Sequence, residues 1–285
     1  MMRPIAWIAV SLGLLGAVAH AGPLRVVTEE TAYSYLQAGK VSGAATEVVE
    51  TTLQRAGLDD YQIGLYPWAR AYDMALQEPG VLIYLIARTS EREALFRWVG
   101  EIRRIDYHFY KLRERDDIKV PDLEAAKAYR VGVLRDDVRH QYLQANGFKK
   151  IVVTAHNSDN FKRLLNGQVD LMPMPEHDIY VMCKEAGLDP SEVERVFTPD
   201  HSTQLYMAFS RQTDDATVLR AQAAFETLQV ATCRLARSVT ALLEFIERLA
   251  TANAGALTDA RFQPRQDGQR RRDQCADHTG NGTGG

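Results

Sequence analysis

The sequence predicts an α/β fold of two lobes, each a mostly parallel sheet flanked by helices, with a two-strand hinge between them. The first observation is that β-rich and amphipathic segments alternate along the chain, which is typical of parallel sheets covered by helices. The second is the run VLIYLIA at 81–87, which is apolar on both faces, as expected of a strand buried between two helical layers. The third is that the alternation starts again after Leu112, which indicates a second sheet.

The first run of segments has recognisable helix boundaries. Gly57 followed by Leu58 matches a left-handed C-cap with its trailing apolar contact. Ser90 and Glu93 match the Ser-x-x-Glu capping box, so we expect a helix to begin at Ser90. In chain order, the predicted elements are a strand at 24–28, a helix at 46–57, a strand at 61–67, a helix at 68–77 and the strand at 81–87.

The second run repeats this pattern, and the chain then returns to the first lobe. Asp136 or Asp137 is expected to cap a helix. The predicted elements are a helix from 122, a strand at 130–134, a helix at 138–147, a strand at 150–153, a helix at 158–167 and a strand at 169–174. The strand-like segment 203–210 and the amphipathic segment 214–229 are expected to pack on the first lobe. Connections near 106–112 and 203–210 then form a paired hinge.

The two ends of the chain are expected to lie outside the fold. Arg3 precedes an apolar stretch that finishes in Ala19-His20-Ala21, the small-residue pattern of a signal-peptidase site. We therefore expect cleavage after Ala21 and a periplasmic mature protein. The expected division is a signal peptide at 1–21, a first lobe at 22–108, a second lobe at 109–204, a return to the first lobe at 205–250 and a disordered tail at 251–285.

Charge and cysteine content argue against several classes of function. A formal net charge of -3 and a pI near 6.2 give no basic field that would hold nucleic acid, so no such partner is expected. Three cysteines cannot form a complete disulfide framework in an exported chain; Cys183 has the spacing of a core residue, and pairing of Cys233 with Cys275 stays open. No C-x-x-C or H-E-x-x-H spacing occurs, so we expect neither a metal nor a cofactor.

Six short segments occur in a characteristic order between residues 24 and 229. They are LRVVTEE, LYPWARAYDMALQ, TSERE, YRVGVL, LLNGQVDLMP and LYMAFS. In this order they resemble the landmarks of the bacterial extracellular solute-binding proteins of family 3, the polar amino acid type. The resemblance implies a type II periplasmic binding protein fold that closes on a small-molecule ligand. We expect a monomer without catalytic activity. It also implies a membrane partner, the permease of an ABC transporter.

The segment Thr89-Ser90-Glu91-Arg92 follows the buried strand and matches the Thr-x-x-Arg motif of that family. The resemblance implies that Arg92 grips the α-carboxylate of the ligand and that Thr89 lies beside it. Physical chemistry gives an independent reason, since a guanidinium pairs bidentately with carboxylate and α/β sheets bind ligands beyond the carboxyl ends of their strands. The alternative is that Arg92 forms a surface pair with a helical Glu.

Further wall residues of the site are expected among acidic, aromatic and basic side chains near other strand ends. Where the family places an Asp for the ligand ammonium this chain has Pro175, and the adjacent Glu176 could substitute. Trp68 could instead pack in the core, and Asp137 could be only a helix cap. The complete set of expected ligand-binding residues is Thr89, Arg92, Glu30, Tyr33, Tyr35, Trp68, Arg70 and Glu176, with Glu29 as a further wall residue.

Three functions compete for this sequence. The leading interpretation is a non-enzymatic binding protein that holds an amino-acid-like or carboxylate-bearing solute. The second is a periplasmic dehydratase of the arogenate or prephenate type on the same fold, in which Glu176 or Glu30 acts as a general acid if burial raises its pKa. The third is a solute-sensing domain. No G-x-S-x-G nucleophile motif supports hydrolysis.

Overall fold

A computed structural model describes residues 22–199, 202–231 and Leu243. The strands are β1 (Leu24–Thr28), β2 (Tyr35–Gln37), β3 (Lys40–Ser42), β4 (Tyr61–Leu65), β5 (Val81–Ala87), β6 (Phe96–Ile105), β7 (His108–Leu112), β8 (Val131–Leu134), β9 (Ile151–Thr154), β10 (Met172–Met174), β11 (Val193–Phe197) and β12 (Thr203–Ser210). The helices are α1 (Ala44–Arg55), α2 (Trp68–Gln77), α3 (Leu123–Ala126), α4 (Val138–Ala145), α5 (Asn157–Leu165), α6 (Glu176–Glu185) and α7 (215–231), with a 3-10 turn at Pro190–Glu192.

The first lobe is built on a five-stranded sheet in the order β4-β1-β5-β12-β6. Strand β1 runs parallel to β4 and β5, whereas β12 runs antiparallel to β5 and β6. All seven residues of β5 are buried, which the two-sided apolar sequence predicts. Leu82 and Tyr84 pack with α1 and α7 on one face, and Ile83 and Ile86 pack with α2 on the other.

The second lobe contains an antiparallel sheet in the order β10-β7-β11 and a parallel pair, β8 and β9. A single parallel bridge between Val131 and Leu171 brings the two sets of strands side by side. Helices α5 and α6 contribute Phe161, Leu164 and Cys183 to one buried cluster, and α4 contributes Leu143 to another. Cys183 is therefore a core residue of this lobe.

The chain crosses between the lobes twice. It leaves the first lobe between β6 and β7 and returns between β11 and β12. The Ser202 hydroxyl donates a hydrogen bond to Asp106 Oδ1 at 2.7 Å, and His108 Nδ1 lies 2.8 Å from Thr198 Oγ1. These contacts tie the two connections to each other, so a movement of one connection would be transmitted to the other.

The predicted helix at Ser90 is wrong. Residues 90–95 form successive turns, with hydrogen bonds from Arg92 N to Thr89 O at 3.1 Å and from Leu95 N to Arg92 O at 3.0 Å. The Glu93 carboxylate, which a capping box would direct at the Ser90 amide, instead accepts two hydrogen bonds from the Arg88 guanidinium, at 2.6 and 2.8 Å. The ion pair therefore replaces the cap.

Several expectations concern residues outside those described, including the signal peptide at 1–21, Cys233, Cys275 and the tail at 251–285.

The segment after β1, expected to be a loop, contains the short β2–β3 hairpin. Within the described ranges, no helix has both the length and the apolar character needed to cross a bilayer.

Candidate functional site

A cleft lies between the two lobes, at the ends of strands from both sheets. It contains about 500 Å³ of empty space, its open mouth included. Tyr33 and Leu85 line it from the first lobe, and Asn157 and Met174 line it from the second. Its charged lining residues are Glu29 and Arg92 from the first lobe and Asp137, Arg139 and Asp178 from the second.

The strand ends explain why these charged residues meet. Glu29 directly follows β1, and Asp137 follows β8 after two intervening residues. Asp178 lies in the first turn of α6, the helix that begins two residues after the end of β10. The carboxyl ends of parallel strands are where α/β folds place ligand sites, since the loops and helix starts there are free to carry polar groups.

Arg92 is the most deeply buried charged side chain of the cleft, at 1% exposure. Its Nη2 donates to Asp136 O at 2.9 Å, across the gap between the lobes, and its Nη1 donates to Ala87 O at 3.3 Å. Its Nε has no hydrogen-bond partner among the described residues. The surface ion pair at this corner is made by Arg88 with Glu93, so Arg92 keeps a free donor inside the protein.

Rings of α2 hold the Arg92 guanidinium in place. Its central carbon lies 5.8 Å from the centre of the Trp68 ring and 4.8 Å from that of Tyr72. Residues 68 and 72 are four apart, so the helix presents both rings on one face, where they stack with a centroid distance of 5.9 Å. Cation–π attraction to two rings fixes the orientation of the guanidinium.

Strand β5 bends just before it delivers Arg92. Leu85 has φ of 60°, a left-handed conformation that a bulky residue rarely adopts, and the pairing with β12 shifts register between Tyr206 and Met207. A bulge of this kind redirects the end of a strand. Here it brings Leu85 to the cleft and turns the Ala87 carbonyl towards Arg92.

Asp137 and Arg139 form a buried ion pair on the opposite wall. Arg139 Nε and Nη2 donate to the two Asp137 oxygens at 2.6 and 3.0 Å, and Arg139 Nη1 donates to Pro173 O at 3.0 Å. Burial would raise the pKa of Asp137, but the Arg139 charge and hydrogen bonds outweigh it and lower that pKa below its ordinary value. The Arg139 guanidinium also lies 5.1 Å from the centre of the Tyr107 ring. The pair is therefore fixed and charged.

Glu29 and Asp178 have no such cationic partner at bonding distance among the described residues. Burial raises the pKa of Glu29 to about 8; the Asp137 and Asp178 charges add to this rise, and Arg139 opposes it. Burial also raises the pKa of Asp178, whose Oδ1 accepts a hydrogen bond from Ala32 N at 3.0 Å. Both carboxyl groups would be stabilised in their ionised form by an incoming positive charge.

The structure separates the predicted site residues into two groups. Arg92, Tyr33 and Trp68 line the cleft, and Trp68 also packs in the core at 3% exposure. Thr89 is half-buried and does not line the cleft. The residues that are exposed and lie outside the lining are Glu30, Tyr35, Arg70 and Glu176.

The lining residues without a predicted binding role include Tyr107, Arg139, Asn157 and Asp178. Asp178, which lines the cleft, lies two residues beyond the predicted Glu176 in the same first helical turn. Arg139 could have been found from Asp137, because a cation two residues after a capping Asp can fold back onto it. Nothing in the sequence pattern around Tyr107 or Asn157 indicates a cleft position.

No protein-family model matches the sequence, and no curated protein matches it. Several solved structures match the fold of the chain. A histidine kinase sensor domain with similarity to periplasmic binding proteins superposes with a TM-score of 0.65 and 16% identity, over 74% of this chain and 91% of that chain. The arginine-, lysine-, histidine-binding protein ArtJ from Geobacillus stearothermophilus gives a TM-score of 0.64 and 16% identity, over 73% and 90%.

The arginine-binding protein ArgBP from T. maritima, in its holo form, gives a TM-score of 0.63 and 13% identity, over 73% of this chain and 90% of that chain. Identities this low establish a shared fold and leave ligands to be argued from the residues of this chain. The chain therefore has the two-lobed, type II periplasmic binding protein fold.

Proposed function

We propose that the protein is a periplasmic solute-binding protein of the family 3 type, which captures a small amino-acid-like solute between its lobes. The observation that carries the proposal is the charge arrangement of the cleft. Among the residues that the structure describes, a buried guanidinium whose Nε has no hydrogen-bond partner lies on one side, and two carboxyl groups without a cationic partner at bonding distance lie among the other lining residues. This arrangement suits a solute that carries both a carboxylate and a positive charge.

Each end of the solute would have its own partners. The carboxylate would accept from Arg92 Nε, since a charge-assisted hydrogen bond in a site shielded from water is stronger than one in solution. The cationic nitrogen would lie beside Glu29 and Asp178. Tyr33, Trp68 and Tyr107 would enclose the apolar part of the solute, as rigid aromatic rings do in small-ligand sites.

The fold supports the rest of the proposal by analogy. Lobes at 22–108 and 109–204, with a return segment from 205, would close about the two connections, and the closed form would deliver the solute to the permease of an ABC transporter. The binding proteins for basic amino acids among the structural matches have this fold, which supports a solute-binding role and leaves the transporter partner to experiment. The protein would act in the periplasm as a monomer.

A thermal-shift screen tests the proposal. Ligand-free protein, prepared by unfolding and refolding, would be heated with each of the twenty L-amino acids, short diamines and small carboxylic acids. A solute present at 100 times its Kd raises the free energy of unfolding by about 2.7 kcal/mol, so a true ligand gives a concentration-dependent rise in Tm. Failure of every zwitterion to raise Tm would contradict the proposal.

A second function has one specific observation in its favour. With a pKa of about 8, Glu29 holds its proton at neutral pH inside a cleft, which is what a general acid requires. A dehydratase of the arogenate or prephenate type would use that proton on the leaving hydroxyl. Incubating the protein with prephenate and arogenate and measuring the aromatic product separates the two functions, because a binding protein releases its solute unchanged.

The Glu29 pKa predicts how stability depends on pH. The unfolded chain loses this proton near pH 4.5, whereas the folded protein keeps it until about pH 8. The contribution of Glu29 to stability is therefore fully present below pH 4.5 and is lost as pH rises through 8. We expect Glu29→Gln to remove this decline, so that the variant loses less stability than the wild type between pH 5 and 9 in urea titrations. Parallel pH profiles for the two proteins would contradict the assignment.

The same group predicts proton release on binding. A cationic solute beside Glu29 favours the ionised carboxylate, so binding at pH 7 should expel a proton and affinity should rise towards pH 8. Calorimetry in two buffers with different ionisation enthalpies measures this release. In Glu29→Gln we expect the proton release that comes from Glu29 to disappear. If the number of protons released is unchanged in this variant, the cationic group of the solute does not lie beside Glu29.

A further inference from the structure

The carbonyl of Asp136 receives two hydrogen bonds from the opposite lobe. Arg92 Nη2 lies 2.9 Å from this oxygen and Trp68 Nε1 lies 3.0 Å from it. A carbonyl oxygen has two lone pairs, so it can accept both bonds at once. Asp136 follows β8 in the second lobe, whereas both donors belong to the first.

The backbone at Asp136 is held in an unusual conformation. Its φ is 59°, in the left-handed region that Asp and Asn tolerate and β-branched residues avoid. Its side chain is exposed, while the next residue, Asp137, is buried by its ion pair with Arg139. The role of Asp136 in this contact is therefore performed by its main chain.

The two donors are held by contacts within the first lobe. Trp68 is 3% exposed and packs in the core of the first lobe, and Arg92 is 1% exposed and lies against the rings of Trp68 and Tyr72. Rigid donors lose little conformational entropy when they bond to their acceptor. Most of the free energy of the two hydrogen bonds therefore stabilises the contact between the lobes.

We propose that Asp136 is a positioning residue: its carbonyl, with the Trp68 indole and the Arg92 guanidinium, forms an interlobe latch that favours lobe closure and fixes the ligand-binding guanidinium in the closed cleft. The latch consists of protein atoms alone, so it contributes to closure whichever solute is bound. A second crossing contact, from Ala32 N to Asp178 Oδ1 at 3.0 Å, adds to it. The proposal rests on the proposed function for the movement of the lobes and for the ligand-binding role of Arg92.

The latch predicts that three substitutions differ in a defined way. Trp68→Phe keeps a ring and removes one hydrogen bond, which should lower the ratio of closed to open molecules about fivefold. Asp136→Val disfavours the left-handed backbone and should release both donors. Asp136→Asn is the matched control, since asparagine keeps the left-handed conformation and removes only the exposed charge.

Small-angle X-ray scattering of the ligand-free full-length chain provides the test, with Tm measured for each variant. We expect Trp68→Phe and Asp136→Val to increase the radius of gyration and Asp136→Asn to match the wild type. If folded Trp68→Phe and Asp136→Val scatter as the wild type does, the latch is overturned. If Asp136→Val does not fold, the radius of gyration of Trp68→Phe alone tests the latch. Because no solute is used, failure here is distinct from failure of the solute screen.

Discussion

Replacing Arg92 with alanine is expected to weaken solute binding about 30- to 1000-fold and to lower the free energy of unfolding by about 2–4 kcal/mol. The first effect follows from loss of the charge-assisted donor that we assign to the solute carboxylate. The second follows because the buried Ala87 carbonyl and the Asp136 carbonyl each lose a donor, and because the contact with the Trp68 and Tyr72 rings is lost. Calorimetric titration and urea unfolding measure the two effects separately.

Arg88 provides the matched control for this substitution. It lies four residues earlier, is exposed, and pairs with Glu93 in solvent, where an ion pair contributes about 0.2–1 kcal/mol. Arg88→Ala should therefore bind solute as the wild type does and lose less stability than Arg92→Ala. Arg92→Lys should recover charge without the planar fork and give an intermediate affinity. Equal losses in Arg88→Ala and Arg92→Ala would show that Arg92 has no special role.

Replacing Arg139 with methionine is expected to lower the free energy of unfolding by about 3–5 kcal/mol at pH 7. Arg139 and Asp137 are 6% and 5% exposed, and removing the guanidinium leaves the Asp137 carboxylate buried without its counter-ion. The loss should shrink as pH falls, because protonation neutralises the stranded carboxylate. Urea unfolding at pH 7 and at pH 5 measures both the loss and its pH dependence.

A double variant shows whether the stability loss of Arg139→Met comes from the broken ion pair or from the loss of side-chain packing. Asp137→Asn removes the charge and keeps a side chain that can cap α4, so Asp137→Asn with Arg139→Met should be more stable than Arg139→Met alone. If Asp137→Asn adds its own loss to that of Arg139→Met, the stranded charge is not the cause. In that case the buried stem of Arg139 and its bond to Pro173 O would account for the effect.

The sequence predicted the parts of the fold that depend on periodicity and caps. The two-sided apolar run at β5 is buried on both faces, and Asp137 caps α4 by accepting from Arg139 N. The prediction of a helix at Ser90 was wrong because a residue of the capping-box pattern can bond to a different residue in the folded protein. Glu93 lies beside Arg88, and a charged hydrogen bond outweighs a cap on a short, exposed turn.

The sequence indicated which segments lie near the cleft, but it did not indicate which of two adjacent residues in a segment faces the cleft. Glu29 and Glu30 follow β1, and successive residues of an extended chain point in opposite directions, so only one of them can face the cleft. Val27 packs in the same cluster as Trp68, and Glu29 lies two residues beyond it, on the same side. The pairing of Val27 with Trp68 is a tertiary fact that sequence periodicity does not contain. The same holds for the contact of Arg92 with the Asp136 carbonyl, since its two residues lie in different lobes.

A crystal structure of the protein with the best-stabilising solute of the thermal-shift screen would show whether Arg92 holds that solute between the lobes. We expect a solute carboxylate oxygen about 2.7–3.2 Å from Arg92 Nε, with a cationic nitrogen beside Glu29 and Asp178. A solute bound outside the cleft, or bound inside it with no polar atom within reach of Arg92, would contradict this expectation.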